Sequence, residues 1–271
     1  MKKIEVNYKN KKRFKTATYP IRQPLFIVVL IWILSKFAMI GKKYKVEKIN
    51  MEGLKPPYFM LSNHEYFIDF ELAALGTFPH RVNNVINIDG YIKRAWLMKL
   101  IGGICTRKFS NDLHLIKSIR KVLSRGDVLG MYPEARYSAC GITSYIPDSL
   151  GKLIKKSKVP VVVVIHRGNH LHTPFWNFRK KRRVPLHTTL TQVLTKEQVE
   201  SLSVEEINKV IKEAFVYDDY KYQKDNGILI INTVHENMNE FLPDNVKKII
   251  KDKNVKLYII NAERIAIEAG I

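Results

Sequence analysis

The chain has 271 residues, with 46 Lys and Arg against 25 Asp and Glu, a formal net charge of +21. A hydrophobic share of 46% excludes disorder throughout, and the length suits one sizeable α/β domain with attachments. The cysteines, Cys105 and Cys140, make no CxxC pair and no disulfide framework, which fits a reducing compartment, and the positive charge asks for an anionic partner, nucleic acid or anionic lipid.

Residues 1–15 are basic: Lys2, Lys3, Lys9, Lys11, Lys12, Arg13 and Lys15 stand against Glu5. Pro24 opens ten consecutive apolar residues, Leu25 to Leu34, and Phe37-Ala38-Met39-Ile40 follow after Ser35 and Lys36. A spanning helix needs about 20 apolar residues, a length reached here only if Lys36 snorkels. Lys42, Lys43, Lys45 and Lys48 crowd the far side, so the flanks give no orientation signal. The expectation is a monotopic helix lying on the cytoplasmic face of the cell membrane, held by apolar burial and anionic headgroups. A buried core helix is the alternative. No A-x-A-like cleavage site follows the apolar stretch, so a removable secretory signal is not expected.

From about Val46 strand and helix patterns alternate. Strands are expected at Tyr58–Ser62, Asn84–Ile88, Val128–Tyr132 and Val159–Ile165. Helices are expected at Phe70–Leu75, where Gly76 would stop the chain, and at Ala95–Ile101, Leu113–Ser124 and Leu150–Lys156. The run Val159 to Ile165 is apolar on both faces, as in a buried parallel strand. This predicts an α/β fold: a mixed, mostly parallel sheet flanked by helices. Residues 195–216 read as a helical hairpin or one long helix, with a Ser203–Glu206 capping box and a polar, aromatic exit at Tyr217 to Tyr222. Beyond it, Ile228–Ile231 and Val255–Ile260 read as strands, and Asp244–Lys251 and Ala262–Ala269 as helices, a small α/β tail. The chain thus divides into a basic arm and membrane-associating helix (1–45), a central domain (46–222) and a tail of uncertain role (223–271).

Chemistry concentrates after the strand Tyr58–Ser62, in Asn63-His64-Glu65-Tyr66-Phe67-Ile68-Asp69. On one continuous helix, residues five apart diverge by about 140°, so His64 and Asp69 meet only if His64 lies in the loop before a helix and Asp69 in its first turns. A carboxylate that holds an imidazole in one tautomer lets it take a proton from a hydroxyl. Taken alone, the pair could equally be a polar turn capping a helix. Three more segments stand at strand ends or turns: Gly102-Gly103-Ile104-Cys105-Thr106-Arg107, Tyr132-Pro133-Glu134-Ala135-Arg136-Tyr137-Ser138, and Val159-Pro160-Val161-Val162.

In order and spacing these four segments resemble the glycerolphosphate and lysophospholipid acyltransferase family over residues 50–200. The resemblance implies His64 as general base and Asp69 as its orienter. An acceptor hydroxyl would attack the thioester of acyl-CoA or acyl-carrier protein. Arg107, Glu134 and Arg136 would bind a lysophospholipid acceptor, with 1-acyl-glycerol-3-phosphate the leading candidate. An arginine fork can meet a phosphate bidentately, and Glu134 would position an arginine or accept from a glycerol hydroxyl. No metal and no bound cofactor is implied. The third segment departs from the usual Phe-Pro-Glu-Gly-Thr-Arg-Ser: Ala135 replaces Gly, Arg136 replaces Thr and Tyr137 replaces Arg. Residues from Phe241 to Ala266 are similar to a segment of pyruvate:ferredoxin oxidoreductases, without their thiamine or iron–sulfur motifs.

His166, His170 and His172 lie close together, but no acidic or Cys ligand stands at a metal-site spacing, so a polar loop is expected there. The run Arg179 to Arg183, beside Phe175, Trp176 and Phe178, suits anionic headgroups. It could also meet nucleic-acid phosphates, though no nucleic-acid-binding motif accompanies it and none is expected as partner. The alternative to an enzyme is a non-catalytic basic phospholipid- or nucleic-acid-binding protein on the same fold.

Overall fold

The structure is a computed structural model describing residues 20–92, 94–107, 113–138, 141–143, 145–172, 184–225, 228–232 and 256–260. Its frame is a seven-stranded sheet. The strands in chain order are β1 (Tyr44–Ile49), β2 (Phe59–Ser62), β3 (Val82–Asn87), β4 (Ile104–Thr106), β5 (Val128–Met131), β6 (Val161–Arg167) and β7 (Leu186–Leu194). In space the order is β1-β7-β6-β2-β5-β3-β4. Strands β6, β2, β5, β3 and β4 run parallel, whereas β7 is antiparallel to β6 and β1 runs with β7. The sheet is mixed and mostly parallel, as the alternating pattern predicts.

Period-two alternation divides the central strands between two cores. Phe59 and Leu61 of β2 and Val161, Val163 and Ile165 of β6 face one side, under helices α5 (Leu113–Ser124), α6 (Ser149–Ser157) and α9 (Val204–Asp225). Met60, Val162 and Val164 face the other, under α2 (Ile68–Thr77). All four residues of β2 and all seven of β6 are buried, which is why these segments read as unbroken apolar runs. Helix α9 buries Ile207, Ile211 and Phe215, one stripe at i, i+4 and i+8. The Asn208 amide on the same helix accepts from Gly151 N at 2.9 Å and donates to Asp148 O at 2.9 Å, tying α9 to the start of α6.

Several expected boundaries move. Gly76 does not stop α2, which continues to Thr77. A Cβ on Gly76 would lie 2.6 Å from Leu190 Cδ1, so this glycine lets the helix approach β7. Strand β3 starts earlier than expected and Ile88 opens a short helix, α3 (Ile88–Ile92), with α4 (Ala95–Leu100) beyond it. After the short helix α7 (Asn169–His172), β7 and the capped helix α8 (Lys196–Ser201) complete the sheet side. The Ser203–Glu206 box forms in both directions, but α9 runs on through the expected exit at 217–222 to Asp225. Strands β8 (Ile228–Asn232) and β9 (Lys256–Ile260) pair parallel in a separate two-stranded sheet. The tail helices expected at 244–251 and 262–269 lie outside the described residues, as do residues 1–19 and the 173–183 basic run.

Helix α1 (Leu25–Ala38) has 14 residues, and among the described residues no helix is long and apolar enough to cross a membrane. Lys36 does not lengthen an apolar rod; its Nζ sits 5.5 Å over the Trp32 ring and 3.4 Å from Tyr44 Oη. Trp32 stacks on Phe78 just past the end of α2, while Ala38 and Met39 pack with Ile68 and Leu72 at its start. The two helices are therefore antiparallel, and the C-terminal end of α1 lies at the same edge of the sheet as the start of α2.

Candidate active site at the carboxyl edge of the sheet

In a parallel sheet the carboxyl ends of the strands share one edge, where loops can converge. Here β2, β6, β5 and β4 deliver the 64, 166–172, 134–138 and 107 segments to that edge.

Asn63 carries the pairing of β2 and β6 one step beyond the strand. Its amide donates to His166 O at 2.9 Å and accepts from His166 N at 2.7 Å. His64 therefore starts its loop from a fixed point. Asp69 enters the first turn of α2, and the two side chains meet: His64 Nδ1 lies 2.9 Å from Asp69 Oδ2. The same Oδ2 accepts Glu65 N at 2.7 Å and Tyr66 N at 2.9 Å, and Oδ1 accepts Asn169 Nδ2 at 2.6 Å. The Asp69 side chain is wholly buried. Burial would push its carboxyl up, but the hydrogen bond from His64, the electrostatic influence of the His166 and His64 imidazoles and the hydrogen bond from Asn169 outweigh that and hold it below the usual carboxylate range. An ionised Asp69 only accepts, so His64 Nδ1 carries the hydrogen and a neutral ring keeps its lone pair on Nε2. Among the described residues Nε2 has no hydrogen-bond partner, and 21% of the side chain is exposed.

Two rings pack against the imidazole. Tyr132 stacks at 4.0 Å between centroids with an interplanar angle of 23°, and Tyr137 lies at 4.1 Å and 41°. Burial pushes both phenols up, aided by the Asp69 charge, so both stay protonated at neutral pH. The turn carrying Tyr137 is fastened to His64 itself: Ser138 N donates to His64 O at 2.6 Å. Ala135 adopts φ +56°, the left-handed conformation that glycine takes freely. The chain thus makes the turn expected of a glycine there, with a methyl group in its place.

Glu134 is buried in this turn and Arg136 is half-buried two residues on, both beside the His64 loop because β5 neighbours β2. Arg107 is exposed just past β4, at the same edge, but β5 and β3 intervene, a separation of roughly 14 Å at the backbone.

The histidine-rich segment is no loose loop. His166 belongs to β6, with Nδ1 2.8 Å from Thr188 Oγ1; His170 Nδ1 lies 2.9 Å from Glu65 Oε2, which also accepts His170 N at 2.9 Å. Among the described residues no cluster of three His, Cys, Asp or Glu side chains could hold a metal ion. Tyr132, Asn63, Asn169 and the Glu65–His170 pair are structural parts of the site that sequence reasoning passed over. Tyr132 opened a segment already singled out, and only the crowding of polar residues at the ends of β2 and β6 hinted at the others.

Burial drives the His166 imidazole down to about 4. In the unfolded chain it would titrate near 6.5. The folded state thus binds fewer protons between these values, so stability from this residue is complete above about 6.5 and lost as pH falls toward 4. Wild-type protein should lose about 3 kcal/mol more than His166→Gln across that interval. Urea unfolding of both proteins from pH 7 to 4 measures it, and parallel profiles would contradict the assignment.

No protein-family model matches the chain, and no curated protein matches it in sequence. Among solved structures, the fold is similar to that of the 1-acyl-sn-glycerophosphate (LPA) acyltransferase PlsC from Thermotoga maritima. The TM-score is 0.60 at 15% identity, over 73% of this chain and 80% of that one. At that identity the likeness is one of fold.

Proposed function

We propose that the chain is a membrane-associated O-acyltransferase that moves a fatty acyl group from acyl-CoA or acyl-carrier protein to the hydroxyl of a lysophospholipid. The leading acceptor is 1-acyl-glycerol-3-phosphate. The observation that carries this reading is the His64–Asp69 pair, with Nδ1 engaged and Nε2 open at the carboxyl edge of the sheet. A fold similar to that of PlsC supports it. In the proposed reaction His64 Nε2 takes the proton of the acceptor hydroxyl as its oxygen attacks the thioester carbonyl. The tetrahedral adduct collapses, the C–S bond breaks, and the imidazolium returns the proton to the leaving thiolate. Arg136 and Arg107 are the proposed cations for the acceptor phosphate, with Glu134 orienting an arginine or a glycerol hydroxyl.

The proposed membrane contact is α1, lying on the cytoplasmic face of the cell membrane. Phe26, Leu30, Leu34, Phe37 and Ile40 expose 67%, 47%, 57%, 65% and 71% of their surface. The end bearing Phe37 and Ile40 packs at the start of α2, beside the loop that carries His64. Lipid at this face would reach the site without crossing water.

The experiment presents labelled acyl-CoA or acyl-carrier protein and a panel of lysophospholipids, 1-acyl-glycerol-3-phosphate first, in phosphatidylglycerol vesicles. Labelled diacyl product and flotation of the protein with the vesicles are expected. Absence of acyl transfer to every acceptor would remove the enzymatic reading, and a protein that stays at the bottom of the gradient would remove the membrane one.

A further inference from the structure

We propose that Tyr137 is a positioning residue for the base: with Tyr132 it clamps the His64 imidazole, so that only the ring edge bearing Nε2 meets the acceptor. This rests on the acyltransferase reading for its consequence in catalysis, though not for its geometry.

One hydrogen bond through Nδ1 fixes a point of the imidazole, not its plane. The torsion that turns a histidine ring has broad minima, so a ring held only by Asp69 can rock about that contact. Rocking swings Nε2, the far atom, by the largest amount. Tyr132 and Tyr137, with centroids 4.0 Å and 4.1 Å from that of His64, pack against the ring and restrict that motion. The first ring follows directly from β5 and is set by the sheet. The second stands on the turn that Ser138 ties to His64 O, and Ser138 Oγ closes that turn by donating to Ile142 O and accepting Ile142 N, both at 2.9 Å. Tyr66 backs Tyr137 at 6.1 Å. Among the described residues the Tyr137 hydroxyl makes no hydrogen bond, so what it gives the base is its ring. Tyr137 is nonetheless 44% exposed, a large apolar surface left at the site rather than in the core.

The clamp also limits approach. With Nδ1 on Asp69 and both rings packed against the imidazole, a hydroxyl reaches the lone pair only in the plane of the ring, past two phenols. That geometry suits a hydroxyl on a slender chain.

The test compares Tyr137→Phe, Tyr137→Leu and Tyr137→Ala with wild type, by steady-state kinetics and by NMR of selectively labelled histidine, His64→Ala identifying the His64 resonance among eight histidines. Tyr137→Phe keeps the ring and should leave kcat within about 3-fold. Tyr137→Leu and Tyr137→Ala should lower kcat by about 100-fold with KM little changed, the cost of a misplaced reacting group. Their His64 ring protons should lose the part of the upfield ring-current shift that Tyr137 adds to that of Tyr132, a part that Tyr137→Phe retains. Equal loss of kcat in Tyr137→Phe would make the hydroxyl the operative group and overturn the clamp. So would unshifted His64 resonances in Tyr137→Leu, or wild-type kcat in a variant whose resonances have moved. If wild-type protein transfers no acyl group, the reading above fails, while the resonances still decide whether Tyr137 holds the imidazole.

Discussion

His64→Ala is expected to lower acyl transfer by about 10³-fold or more and to leave the fold close to wild type. General-base assistance is worth about 10² to 10⁴ in rate, and no other described group is placed to supply it at this point. The glutamate next door is buried, and its Oε2 accepts from both His170 N and His170 Nδ1. The structural cost is small for a stated reason. Asp69 loses one donor and keeps three, Glu65 N, Tyr66 N and Asn169 Nδ2, so no buried charge is orphaned. Loss of one hydrogen bond and of the ring contacts should cost about 1 to 2 kcal/mol. Initial rates on vesicle-bound acceptor and urea unfolding measure the two effects. A folded His64→Ala protein with undiminished rate would deny His64 the role of base.

That this pair could be read at all follows from chain geometry. A spacing of five forbids contact on a continuous helix, so the sequence demanded a loop at His64 and a helix start before Asp69, which is where they lie. The apolar runs of β2 and β6 were legible for a similar reason: strands buried on both faces have no polar alternation to blur them. Strand β7 was not legible. Leu186-His187-Thr188-Thr189-Leu190-Thr191-Gln192 mixes polar and apolar residues because its threonines serve partners on another strand, Thr188 to His166 and Thr189 to Arg167. Gly76 misled because a glycine near a helix end reads as a stop, whereas here tertiary packing against Leu190 uses the missing side chain. The cage around Asp69 escaped notice because two of its donors are backbone amides and the third, Asn169, is a hundred residues away in sequence. Tyr137 stood out only as a misfit residue; its place over His64 depends on the Ala135 turn, which no periodicity announces.

Asp69 should separate geometry from charge more sharply than His64 can. In Asp69→Ala four donors, His64 Nδ1, Glu65 N, Tyr66 N and Asn169 Nδ2, lose their acceptor at a wholly buried position. The cost of breaking such a cluster should be about 3 to 5 kcal/mol, and the rate should fall with it by about 10⁴ as His64 loses its fixed tautomer. Asp69→Asn behaves differently because of Asn169. The substituted side chain keeps an oxygen toward Glu65 N, Tyr66 N and His64 Nδ1 if its amide nitrogen takes the place of Oδ1, which faces Asn169 Nδ2. Two donors would then clash, but Asn169 Oδ1 is buried without a hydrogen-bond partner, so turning the Asn169 amide over presents an acceptor. The number of unsatisfied buried groups stays the same. Asp69→Asn should therefore unfold within about 1 kcal/mol of wild type and preserve the Nδ1–H tautomer, losing only the charge that favours imidazolium. A rate loss of about 10² follows, two orders short of Asp69→Ala. The tautomer is read from the ring nitrogen shifts of His64. A stable Asp69→Asn protein with Nε2–H and no activity would show that Asn169 does not turn, and that the new amide, donating to Nδ1, has captured the lone pair on the wrong nitrogen.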